Sequence, residues 1–294
     1  MNTKVIEKIN KLKDDRVHGA SWLSRQAIRT LNLAIKENQS LTITEFVEEI
    51  QKVAAELIKA GPNITPIANY TSQFLHQIMA MSQDEKDLDS LKKSARITGK
   101  DFLKSATKAV SKSIEYGCGI ISDLDTVITC SYSSTVCQVL EMAKKREAKF
   151  RVMVTESRLN DQIYGQITAR QLMKHQIPVE LISDQNINLR IAKADKALVG
   201  ADSITADGYL INGKPTFLLA QAAKKKKIPF YVVCESAKFD IQDYVTKSPE
   251  LEPGFERTPL NLITGIITEK GTMQPSLVMA YIEQKTEEMA RLSP

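Results

Sequence analysis

Aromatic residues make up only 6% of this chain, and tryptophan occurs once. A nucleic-acid-binding face wants a broad basic stripe interleaved with aromatics. Here the net charge is a mild +5, with acids and bases interspersed. The one dense basic run, Lys224-Lys225-Lys226-Lys227, closes an apolar-periodic segment, where cations complement a helix C-terminus. No direct nucleic-acid partner is expected. The four cysteines, Cys118, Cys130, Cys137 and Cys234, form no CxxC pair and no histidine spacing accompanies them. That argues against a structural zinc site, and neither metal nor redox cofactor is expected. No apolar run approaches the ~20 residues of a membrane span. Met1-Asn2-Thr3-Lys4 opens into a charged helix rather than a signal peptide. Reduced thiols and the lack of a span predict a cytoplasmic protein with no membrane partner.

What the chain does have is length and apolar content. Its 294 residues, 43% hydrophobic, suffice for a large core divided between two domains. In the first third, Thr42 and Glu45 form a capping box ahead of Phe46, Val47, Ile50, Val53, Ala54 and Leu57, and Gly61-Pro62 ends the run. A second amphipathic helix follows the polar stretch from Ser82 to Ser90, with Phe102, Leu103, Ala106, Val110 and Ile114 on one face. Gly117-Cys118-Gly119 then punctuates the chain, and strand and helix patterns alternate from Asp125. The pattern predicts a helical N-terminal domain over 1–118 and a Rossmann-like α/β domain with a mostly parallel sheet over 119–294.

Five strand-like runs in the second domain each end in a carboxylate: Glu156, Asp184, Asp202, Glu235 and Glu269. Continuous apolar runs fit strands buried on both faces, and ligands of such sheets bind beyond the strands' carboxyl ends. Asp184 equally suits the capping of a following helix. The turn Thr129-Cys130-Ser131-Tyr132-Ser133-Ser134-Thr135 lies between a strand and a helix carrying Val136, Val139, Leu140 and Ala143. Such a turn offers backbone N–H groups and the positive end of a helix dipole to a phosphate. Together the two features suggest a polyhydroxylated phosphate ester, its hydroxyls on the acids and its phosphate on Ser133 and Ser134.

Val199-Gly200-Ala201-Asp202-Ser203-Ile204-Thr205, followed by Asp207-Gly208, resembles the signature of the translation initiation factor 2B alpha/beta/delta family. Val154-Thr155-Glu156-Ser157-Arg158, Ile228-Pro229-Phe230-Tyr231-Val232-Val233, Glu235-Ser236-Ala237-Lys238-Phe239, Ile267-Thr268-Glu269-Lys270-Gly271 and Gly19-Ala20-Ser21-Trp22-Leu23 are similar to further segments of that family. The family also contains methylthioribose-1-phosphate and ribose-1,5-bisphosphate isomerases. The resemblance implies a pocket between the two domains, a homodimer or higher oligomer, and a protein partner in translation. Ile228-Pro229-Phe230-Tyr231 and the apolar C-terminal segment of Leu277, Val278, Ala280, Tyr281 and Ile282 offer surface for assembly, although ordinary core is the better account of the strand.

The same resemblance selects site residues. The isomerases use a cysteine in a "THC" segment and the aspartate of "GAD"; Asp202 matches the aspartate. Aligned on that segment, Cys130 falls on the histidine position and Ser131 on the cysteine position. The hydroxyl of Ser131 is a far weaker acid than a thiol. The "RGA" arginine is His18 here, the "RPT" segment becomes Gly61-Pro62-Asn63, and "NKIGT" becomes Asn212-Gly213-Lys214-Pro215-Thr216. Arg16, Arg158, Lys214 or Lys238 offers a compensating cation, and each equally suits a solvated surface charge. The candidates are Asp202, Cys130 and Ser131 for proton transfer, with His18, Gly19, Ala20, Ser133, Ser134, Glu156, Arg158, Asn212, Lys214, Glu235 and Lys238 for ligand binding. The expected function is a regulatory protein that binds a sugar phosphate or nucleotide. The alternative is an aldose–ketose isomerase acting on a sugar 1-phosphate.

Overall fold

A computed structural model describes residues 1–15, 18–62, 64–243 and 250–292. The chain divides into two compact units, Met1–Lys108 and Ala109–Pro294. The first is helical: α1 (Thr3–Lys13), α2 (Ala20–Glu37), α3 (Ile43–Ala60), α4 (Thr65–Asp84) and most of α5 (Leu88–Cys118). The capping box forms with one change of partner. Thr42 accepts the Glu45 N–H at 3.2 Å, while Glu45 reaches back to the Leu41 N–H at 3.0 Å. The core of this unit includes Leu31, Phe46, Ile50, Leu57, Phe74 and Ile78. Each contributes about 1.5–3 kcal/mol by burial. α2 and α4 were not apparent as helices in the sequence, and α5 starts within the polar stretch that precedes its predicted face. Asp87 explains that start, since its carboxylate accepts the Ser90 N–H at 2.8 Å, an exposed local contact that lowers its pKa.

The second unit alternates strands and helices. In order they are β1 (Thr126–Thr129), α6 (Ser134–Lys145), β2 (Arg151–Thr155), a short hairpin β3 (Arg158–Leu159) and β4 (Gln162–Ile163), α7 (Tyr164–Lys174), β5 (Val179–Ile182) and the single turn α8 (Ile187–Arg190). There follow β6 (Lys196–Val199), β7 (Ser203–Ile204), β8 (Tyr209–Gly213), α9 (Thr216–Lys226), β9 (Phe230–Val233), β10 (Phe255–Pro259), β11 (Gly265–Thr268), β12 (Gly271–Met273) and α10 (Pro275–Leu292). Seven strands form one sheet in the order β12-β11-β9-β6-β1-β2-β5, parallel except for β12. All five acid-tipped runs are strands of this sheet.

Side chains alternate between two apolar layers, as a period of two requires. Ile128, Met153, Ala197, Val199 and Val232 join residues of α8, α9 and α10 on one face. Val127, Val152, Val154, Leu198 and Val233 join Ile114 and Cys118 at the end of α5, together with α6 and α7, on the other. Phe230, Val278 and Ile282 belong to the first layer, while Leu277 is 58% exposed. One predicted strand differs: β5 is an edge, and Glu180 and Leu181 face solvent. The lysine run closes α9 as expected, with Lys227 in the left-handed conformation that ends it.

The chain after β6 was not legible as a second sheet. β7, β8 and β10 make a three-stranded antiparallel sheet. Asp207-Gly208 turns the chain between β7 and β8, with Gly208 at φ 87°. Asp202 thus sits where the parallel sheet hands the chain to this smaller one.

Candidate functional site

β1 and β6 are neighbours at the centre of the parallel sheet, and the strand order reverses between them. A crevice outside the carboxyl ends at such a reversal is the usual ligand position in open α/β sheets. The loops after these two strands carry Ser131, Ser133 and Asp202.

The turn after β1 is held from several sides. Ser133 caps α6, its Oγ accepting the Val136 N–H at 3.3 Å. Gly200 lies directly against it, where an added Cβ would come within 2.4 Å of Ser133 Oγ. Ser131 adopts φ 60°, and its Oγ lies against Gly213, where a Cβ would approach to 2.2 Å. The Ser131 N–H donates to Ser157 Oγ at 2.6 Å, and its carbonyl accepts from Thr168 Oγ1 at 2.8 Å. Ser134, half-buried, starts the helix.

Cys130 lies in the core instead of at the rim surface, 1% exposed. The turn does bend at the next residue, but the thiol faces inward, 3.3 Å from Thr216 Oγ1. The single hydroxyl proton of Thr216 is directed to the Gly213 carbonyl at 2.7 Å, so Cys130 is the donor of that pair. Loss of hydration pushes the Cys130 thiol up to about 12, with the Thr216 contact opposing. Asn212, also buried, donates from Nδ2 to Thr216 Oγ1 at 2.8 Å. Thr216 therefore organises Cys130, Asn212 and Gly213 together, a role that only its place at the end of the Asn212–Thr216 segment hinted at.

A charged group lies across the reversal. Lys238 and Glu235 are 4% and 1% exposed. Lys238 Nζ donates to the Ala201 carbonyl at 2.6 Å and lies 3.9 Å from Glu235 Oε2. That carboxyl oxygen is buried and accepts no hydrogen bond. Asp202 keeps some exposed surface, yet desolvation pushes its carboxyl up to about 6; the Lys238 ammonium opposes the shift and Glu235 adds to it.

The remaining acids do other work. Asp184 accepts the N–H groups of Ser157 at 2.8 Å and Arg158 at 3.1 Å, a cap on the neighbouring loop and not on a helix of its own. Glu269 accepts the Ser236 N–H at 2.9 Å and its hydroxyl, fixing the turn that presents Lys238. Glu156 pairs with the exposed Arg158 at 3.7 Å. Lys214 is exposed, its N–H bonded to the Gly254 carbonyl at 2.8 Å. His18, Gly19 and Ala20 lie in the helical unit at the start of α2. There His18 Nδ1 meets Asp15 Oδ2 at 2.8 Å, and the ring stacks on Trp22 with centroids 3.8 Å apart. Arg16 and Asn63 lie outside the described residues.

Residues 16–253 match the model of the initiation factor 2 subunit family. A translation initiation factor eIF-2B subunit 2-like relative from Pyrococcus furiosus is 30% identical over 285 residues, covering 92% of this chain and 97% of the relative. Ribose 1,5-bisphosphate isomerase of Thermococcus kodakarensis is 28% identical over 306 residues, covering 96% and 94%. The crystal structure of the Pyrococcus horikoshii translation initiation factor eIF-2B superposes with a TM-score of 0.83 at 28% identity, covering 95% of this chain and all of that one.

Proposed function

Because this chain belongs to the initiation factor 2 subunit family, we propose that it is an initiation factor 2B-like protein that holds a sugar phosphate or nucleotide at its sheet rim without turning it over. The position of Cys130 carries this reading. The one thiol of the turn is sealed in the core and protonated at neutral pH, and the rim presents the hydroxyl of Ser131 in its place. An alcohol is far too weak an acid to move a proton at neutral pH without an adjacent base. Ser133, Ser134 and the start of α6 receive the phosphate, since the first-turn N–H groups of a helix have no acceptors within it. Asp202 and the Glu235 oxygen that accepts no hydrogen bond receive ligand hydroxyls, and Lys238 balances their charge. Asn212, Glu156, Arg158, Lys214, His18, Gly19 and Ala20 are the further contacts proposed. A homodimer or larger assembly in the cytoplasm, with a translation factor as partner, completes the reading, supported by relatives named as eIF-2B proteins.

A second reading, a sugar 1-phosphate isomerase, draws on Asp202. A carboxyl near 6 is better matched to proton transfer at neutral pH than an ordinary one. A thermal-shift screen against ribose 1,5-bisphosphate, 5-methylthioribose 1-phosphate and nucleoside monophosphates separates the two. A ligand at 100 times its Kd adds about 2.7 kcal/mol of stability. Stabilisation with the sugar C2 proton retained in D₂O is the expected result. Exchange of that proton would install the isomerase reading, and no stabilisation by any probe would remove both.

A further inference from the structure

The sheet order sets β1, β2 and β5 side by side, so the loops at their carboxyl ends touch in sequence. A single line of hydrogen bonds crosses them. Asp184, beyond β5, takes the Ser157 N–H on Oδ1 at 2.8 Å and the Arg158 N–H on Oδ2 at 3.1 Å. Ser157, beyond β2, accepts the Ser131 N–H on its Oγ at 2.6 Å. The Ser157 hydroxyl is also hydrogen-bonded to Thr155 Oγ1, 2.8 Å away, with the Thr155 carbonyl at 3.5 Å as a further acceptor for its proton. Ser157 is 3% and Thr155 0% exposed, so the Ser157–Thr155 pair is sealed from water.

Both serines are in the left-handed region, Ser131 at φ 60° and Ser157 at φ 50°. That conformation is unfavourable for any residue with a Cβ and persists where the surroundings over-determine it. Serine, unlike glycine, has no intrinsic freedom for positive φ. The carboxylate of Asp184 holds the first bend, and the first bend holds the second.

We infer that Asp184 and Ser157 are positioning residues that set the Ser131–Ser134 turn in its ligand-receiving conformation. The inference rests on the proposal that this turn receives the phosphate, and deepens it. It assigns Asp184, one of five rim acids, to the protein's own backbone in place of a ligand hydroxyl. It also gives Ser157 the task of fixing the Ser131 amide, so that the N–H groups available to an anion are those that follow.

The test uses full-length Ser157→Gly and Asp184→Asn variants, with ribose 1,5-bisphosphate as probe in titration calorimetry and melting temperature recorded in parallel. Glycine tolerates positive φ without strain, so Ser157→Gly removes the acceptor while leaving the bend unstrained. The expected result is a melting temperature close to wild type with affinity reduced by about tenfold or more, the scale of a lost ordering contact. Asp184→Asn keeps one acceptor oxygen and is expected to fall between wild type and Ser157→Gly. Wild-type affinity in both variants would overturn the positioning role while leaving the ligand reading intact. A large loss of melting temperature in Ser157→Gly would overturn it too, by showing a general structural role. Failure of the wild type to bind the probe would overturn the ligand reading, and the inference with it.

Discussion

On the β1–β2 side of the rim, Ser131, Ser157 and Thr168 hold one another through hydrogen bonds of 2.6 to 2.8 Å; on the β6–β9 side, Glu235 keeps a buried carboxyl oxygen with no hydrogen bond. The first side is built mainly from neutral groups, and its one carboxylate in the line, Asp184, accepts two backbone N–H groups. The second is built from charges that outnumber their partners, with two carboxyls around the single ammonium of Lys238. Satisfied neutral networks rigidify a site, whereas buried charge without full pairing destabilises the fold. On the proposed reading, the neutral side would fix where a ligand sits and the charged side would bind its hydroxyls. That division of labour is the testable content of the functional reading.

The largest effect should come from breaking the charged side. Lys238→Met removes the cation that lies by Glu235 and opposes the upward shift of Asp202. Removing one partner of a buried charged group costs about 3 kcal/mol or more. At 2–4 °C for each kcal/mol in a unit of this size, a fall of roughly 6–12 °C is expected in calorimetry at pH 7.5. A melting point within one degree of wild type would show that Lys238 does not balance these acids.

Asp202→Asn should act in the opposite direction on stability. The folded-state carboxyl lies above its unfolded value, so the folded protein binds the extra proton. The destabilisation is full above about 6 and disappears as pH falls below the ordinary value of 3.8. Asp202→Asn is therefore expected to be more stable than wild type by about 2 kcal/mol at pH 7.5, the shift being discounted for partial exposure. The gain should shrink between pH 6 and 4. Ligand affinity should fall in the same variant, because an amide accepts fewer hydroxyls than a carboxylate. Equal stability of the two proteins across that pH range would mean that Asp202 is not held in a desolvated state.

Much of this frame was legible in the sequence, for reasons tied to particular residues. The runs ending in Glu156, Asp202, Glu235 and Glu269 announced parallel strands because residues packed on both faces must be apolar at every position. Asp202 and the turn at Ser131 were likewise visible, because strand ends at the rim are where the chain turns polar. The edge position of β5 was hidden, since Val179, Leu181 and Ile182 look apolar whatever covers them. So was the distinction among the acids: a carboxylate that caps a loop, as Asp184 does, has the same local sequence as one that meets a ligand. What separates them is a contact with a residue 27 positions away. Cys130 was misleading for a related reason. A one-residue step along an extended strand exchanges core for rim, and only the packing against Thr216 reveals which side the thiol takes.

That packing predicts a separation between stability and function. Cys130→Ala removes a buried sulfur from beside Thr216 and should cost about 1 kcal/mol, typical of a small core truncation. Thr216 keeps its bonds to Gly213 and Asn212, so ligand affinity should be unchanged. A loss of affinity in this variant, with folding retained, would return Cys130 to the site.

The smallest effect is expected from Ser131→Gly. Ser131→Gly removes a hydroxyl and relieves a left-handed conformation at once, at a position whose backbone is pinned by Ser157 and Thr168. If the neutral side of the rim is held by its backbone contacts, the relief should dominate. The variant should then gain about 0.5–1 kcal/mol, less a fraction for the added freedom of the unfolded chain. Its affinity for a sugar phosphate should drop only by what one hydroxyl contributes, about 0.5–1.5 kcal/mol. A larger loss would mean that the Ser131 side chain, and not the turn it belongs to, meets the ligand. The neutral side would then share the chemistry that the comparison assigns to Asp202 and Glu235.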